Sequence, residues 1–199
     1  MADINDPKYV IPCSNRPVID TAIRNATQML AQTRQRLQAG PPNIPEDTRL
    51  WTPLHQAYVD IFKVQVGLQS MAQIQQIKGN FDFLAQAVTR VKPVCVSDAH
   101  PFIKQKGQMG HEAFAEVGTD SSPTIYFGSP FFRNTPRYQA RTVVHELAHG
   151  RLGVGHAGGE FLSFVTDDVC EPTPLRTFEE AISNAYVYDR FAECASSSR

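Results

Sequence analysis

The chain has 199 residues, 42% of them hydrophobic, which is enough apolar material for one sizeable core. Its 19 Lys and Arg offset 20 Asp and Glu with no basic run or acidic tail, so neither nucleic acid nor an anionic membrane surface is an expected partner. No apolar stretch approaches the roughly 20 residues that span a bilayer, and the opening "MADINDPKYVIPCSN" lacks the basic start and apolar core of a secretory signal.

Residues 17–38 place Val18, Ile19, Ala22, Ile23, Ala26, Met29, Leu30 and Leu37 at helical spacing with a polar opposite face. "GPPNIPEDT" ends that helix. A second helix is predicted over about 52–78, with a break near Gly67 and a stop at Gly79-Asn80, and "FDFLAQAVTR" follows as a short third. The pattern then changes to short strands: "VKPVCVS", "AFAEVG" and "TIYFG". "NTPRYQARTVVHELAHGRLG" reads as a helix capped by Asn134 or Thr135, with Pro136 in its first turn and Gly150 or Gly153 at its end. A glycine-rich loop leads to a last helix over 177–195, with Thr177 and Glu180 as a capping box. The predicted fold is α+β. A helical N-terminal lobe (1–90) precedes a half (91–199) with a small mixed sheet, the H-E-x-x-H helix and a C-terminal helix, all in one domain.

Four cysteines (Cys13, Cys95, Cys170, Cys194) allow two disulfides in three pairings, or four buried thiols. None forms a C-x-x-C pair, which excludes a zinc knuckle or a redox motif of that type.

The chemistry concentrates in "RTVVHELAHGRLGVGHAGGEF" (141–161). His145-Glu146-Leu147-Ala148-His149 is H-E-x-x-H on a predicted helix, where residues four apart share a face and both imidazoles can reach one ion. Two nitrogens and a third protein ligand suit Zn²⁺ with one position left for water, and Glu146 stands where it can take that water's proton. Three sources for the third ligand stay open. His156 lies seven residues after His149, where a metzincin has six, and no methionine follows to form a Met-turn. Glu171, Glu179 or Glu180 would make a gluzincin-like site. Asp167 or Asp168 could return to the ion because Gly150, Gly153, Gly155, Gly158 and Gly159 loosen the path out of the helix. His55, His100 and His111 show no ligand spacing and read as surface or capping histidines.

"TIYFGSPFF", "VVHELAH" and "ISNAYVYDRFA", in that order, resemble the strand, zinc helix and closing helix of the aspzincin metallopeptidases, the group of deuterolysin and the peptidyl-Lys metalloendopeptidases. The resemblance covers about residues 91–195. It implies a zinc endopeptidase whose third ligand is the second aspartate position of G-T-x-D-x-x-Y-G. Laid on "VTDDVCEP", that position is Asp168, with Asp167 in reserve. Val165, Glu171 and Pro172 depart from the motif, and the missing Tyr leaves oxyanion stabilisation to Tyr186 or Tyr188. Some members select Lys with acidic side chains, a role open to Asp189 and Glu193, which otherwise read as solvent-facing. Arg137 and Arg141 read as a solvated helix face.

The expectation is therefore a monomeric zinc endopeptidase acting on a polypeptide held between the lobes. It would be exported without a conventional signal, or else be cytoplasmic. The alternative is an inactive metal-binding or protein-interaction module.

Overall fold

Apolar residues at helical spacing fill the first half of the chain and alternating ones appear only later, and the fold keeps that order. The computed structural model describes residues 6–105, 112–159 and 169–197. Among these, seven α-helices and a four-stranded mixed sheet form an α+β architecture.

Helix α1 (Arg16–Ala39) buries Ile19, Ala22, Ala26, Met29, Leu30, Thr33 and Leu37, one stripe along its length. Helix α2 (Pro53–Phe62) begins at a capping box: Thr52 Oγ1 accepts from the His55 N–H, and His55 Nδ1 accepts from the Thr52 N–H. Lys63 ends it in the left-handed conformation, with φ 56°. Helix α3 (Ser70–Ala87) follows. The break predicted near Gly67 falls at 63–69 and parts the stretch into two helices, while the predicted stop at Gly79-Asn80 is absent. Ile74, Ile77, Phe81, Leu84 and Ala87 keep one buried face across that pair. Their burial outweighs the roughly 1 kcal/mol that a helical glycine costs. Asn80 also gains a partner there, its Nδ2 donating to the Tyr188 hydroxyl at 2.7 Å.

The sheet runs β1 (Val10–Ile11), β2 (Lys92–Val96), β4 (Thr124–Phe127), β3 (Ala113–Ala115). β2 and β4 are parallel, joined by a crossover that includes the short helix α4 (Pro101–Gln105); the outer pairs are antiparallel. Side chains alternate across it as strand geometry requires. Cys95, Ala113, Ile125 and Phe127 enter the main core, while Val96, Phe114 and Tyr126 join Ile103 in a second cluster on the other face.

Helix α5 (Pro136–Leu152) lies against α1, α3, β3, β4 and a C-terminal helix, α7 (Ala185–Ser196). The single helix predicted over 177–195 is broken into α6 (Phe178–Ile182) and α7, because Asn184 leaves the helical conformation to cap α7. The helical and sheet-bearing halves share one core, since α1 packs directly on α5 and α7. Two disulfides, Cys13–Cys95 and Cys170–Cys194, use all four cysteines. Among the described residues, no helix is long and apolar enough to cross a membrane.

Candidate metal centre

One face of α5 carries Arg137, Arg141, His145 and His149, each four residues after the last. Val143, Val144, Leu147 and Ala148 fill the core on the other side, which fixes the rotation of the helix and buries His145 and His149 almost completely. Gly153 ends α5 in the left-handed conformation (φ 67°), its N–H donating to the His149 carbonyl at 3.2 Å. Gly150, an alternative end in the sequence, stays inside the helix, pressed against Pro123.

The chain then turns back and delivers His156. Asn184 holds this return: it bridges Gly155 and His156 as an isolated β-partner, and its Nδ2 donates to the carbonyls of Ala157 (2.6 Å) and Gly159 (3.1 Å). The Ala185 N–H adds a bond to the Gly155 carbonyl at 2.9 Å. Gly158, at φ 75°, permits the turn, and a Cβ there would meet Leu175 at 2.5 Å.

Three imidazoles converge as a result. Nε2 of His145 lies 3.1 Å from Nε2 of His149 and 3.2 Å from Nε2 of His156. A tetrahedral zinc with Zn–N near 2.0–2.1 Å holds its nitrogens about 3.3 Å apart, so the spacing fits a single small cation. The tautomer fits as well. Nδ1 of His149 is 2.7 Å from the Val154 carbonyl, which only accepts, so the proton sits on Nδ1 and Nε2 presents a lone pair to the cluster. Among the described residues this trio is the group of His, Cys, Asp and Glu side chains arranged to hold a metal ion. The metzincin interval does not describe the path to His156, whose return toward the helix is set by Asn184.

The other expected site residues fall as follows. Glu146 is buried on α5 beside His145. Tyr186 lies against the histidines, its ring 4.4 Å from that of His145 and stacked 4.8 Å from that of His156. Tyr188, two residues on, points to the opposite side of α7. Its hydroxyl donates to the Ile182 carbonyl and accepts from Asn80, its ring packs on Phe62 and Phe81, and burial raises its pKa. Tyr188 is therefore not brought to the histidines. Glu171 and Glu179 are exposed, and Glu180 accepts from the Arg176 N–H. Asp167, Asp168 and His111 lie outside the described residues.

Asp189 and Glu193 correct the expectation of a Lys pocket or a solvent-facing pair. Both are at most 3% exposed and are paired with the arginine stripe of α5. Arg141 Nη2 donates to Asp189 Oδ1 at 3.0 Å, Arg141 Nε lies 3.0 Å from Glu193 Oε2, and Arg137 Nε pairs with Glu193 Oε1. Arg141 is accordingly buried, not solvated. His55 and His100 are also buried, and both cap: His100 Nδ1 accepts from the Phe102 N–H at the start of α4. No protein-family model and no curated protein matches this chain.

Proposed function

We propose that this protein is a zinc-dependent endopeptidase in which His145, His149 and His156 hold the cation and Glu146 is the general base. The observation that carries the reading is the convergence of the Nε2 atoms of His145, His149 and His156, two of them on a helix whose sequence is H-E-x-x-H, with Glu146 buried next to His145 in the chain. A zinc ion held by these three histidines would supply a Lewis acid for the scissile carbonyl and would lower the pKa of a bound water. Glu146, next to His145 in the chain, would take the attacking water's proton and pass it to the leaving amine. Tyr186, whose ring lies against those of His145 and His156, is the donor to the developing oxyanion. Strand β3, at the edge of the sheet and packed on α5, offers an extended polypeptide a place to add as a further strand.

The aspzincin resemblance stands as a proposal about lineage, with His156 in place of Asp168 as third ligand. No Lys preference is proposed, because Asp189 and Glu193 are consumed in buried ion pairs. The two disulfides support an extracellular or otherwise oxidising location.

Zinc content and cleavage of an unfolded protein, measured on the wild type and on Glu146→Gln, test the reading. The wild type is expected to hold one zinc and to cleave. The variant should keep the zinc and lose at least about 100-fold in kcat. Zinc without cleavage in either protein would mean a structural site, and absence of stoichiometric zinc would remove the metal centre.

A further inference from the structure

We infer that Asp189 is the positioning residue of His145: its carboxylate accepts a hydrogen bond from the Nδ1–H and so fixes the ring nitrogen that faces the cation. This rests on the metal reading above. His145 is 7% exposed, and its Nδ1 has no hydrogen-bond partner of ordinary geometry. It lies 3.4 Å from Oδ2 of Asp189. An imidazole that gives Nε2 to a metal must carry its proton on Nδ1, and a buried N–H needs an acceptor. For His149 that acceptor is the Val154 carbonyl. For His145 the geometry supplies a carboxylate, which also raises the basicity of the ligating nitrogen. With a cation on Nε2, the His145 Nδ1–H would have the Asp189 carboxylate, 3.4 Å away, as its charge-assisted hydrogen-bond acceptor.

The rest of the ladder explains why Asp189 stays in place. Tyr186, Asp189 and Glu193 share the α7 face that meets the α5 stripe, at intervals of three and four residues. The helices run antiparallel there, so Arg137 meets Glu193, Arg141 meets Glu193 and Asp189, and His145 meets Asp189 and Tyr186. Two guanidinium groups balance two carboxylates. Oδ1 of Asp189 is occupied by Arg141, which leaves Oδ2 turned toward His145. Charge balance makes this buried carboxylate tolerable, and the bond from Arg141 fixes its orientation.

The test is zinc affinity by chelator competition, in a double-mutant cycle of Asp189→Asn and His145→Ala. Asp189→Asn is expected to weaken zinc binding about 10- to 100-fold, and to change it less than about twofold when His145 is already alanine. A purely structural role would lower affinity by the same factor in both backgrounds, and that result overturns the inference. So does an effect below about twofold in the wild-type background. If wild-type protein binds no zinc, the metal reading itself fails. Should Asp189→Asn not fold, the zinc-loaded wild type decides by proton–nitrogen NMR: a downfield, slowly exchanging His145 Nδ1–H supports the inference, and a His145 ring protonated at Nε2 overturns it.

Discussion

Glu112 sits just before β3 with one carboxylate oxygen, Oε2, buried and without a partner. Burial pushes its pKa up to about 7, against the pull of hydrogen bonds to Asn134 and Thr142. The unfolded chain titrates this group near its ordinary value of 4.5, so between 4.5 and about 7 the folded state holds a proton that the unfolded state has released. The stability from this group is whole below that window and is lost as pH rises through about 7. Glu112→Gln, which keeps the neutral shape, is expected to gain stability relative to wild type across the window, read by urea unfolding at about pH 4 and about pH 8. An equal difference at the two pH values would contradict this. Single residues differ in how much their neighbours in sequence reveal. His145, Glu146 and His149 are legible because their chemistry depends on a spacing within one helix. His156 depends on a loop closed by Asn184, 28 positions later in the chain, and Asp189 and Glu193 look like an ordinary exposed pair until the arginines of α5 are placed opposite them.

Among the elements, α7 organises the site although none of the three converging histidines lies on it. Asn184 at its N-terminus holds the His156 loop, Arg190 donates to the Glu171 carbonyl at 3.1 Å, and Cys194 ties down Cys170. The break between α6 and α7 was not visible in the apolar pattern because Ala181, Ile182, Ala185 and Tyr186 are buried on both sides of it; a polar clamp, not periodicity, sets it. Asn184→Asp keeps the capping oxygen that accepts from the Tyr186 N–H and removes the donor to Ala157 and Gly159. Zinc affinity is expected to fall about tenfold or more, with loss of roughly 1–2 kcal/mol in stability. Unchanged affinity by chelator competition would show that the clamp does not position His156. At Gly79-Asn80 the opposite holds, and turn-forming residues are overridden by the apolar face of α3.

For the molecule as a whole, the α+β class and the order of helical and strand-bearing halves follow from where the apolar period changes from helical to alternating. The packing of α1 onto α5 and α7 does not, since nothing local marks which stripes meet. The disulfide pairing was equally beyond composition. On a chain-entropy model the bridges, with sequence separations of 82 and 24, restrict the unfolded chain by about 4.5 and about 3.4 kcal/mol. Cys13–Cys95 joins the start of α1 to β2, and Cys170–Cys194 fixes the end of the segment that leaves the histidine loop. All of this construction holds three side chains around one point. Anomalous diffraction at the zinc edge, on crystals of the zinc-loaded protein, tests that most directly. The expected result is one peak about 2.0–2.1 Å from Nε2 of each of His145, His149 and His156. A peak that leaves His156 unbound and takes Asp168 in its place, or no peak among the three rings, would contradict it.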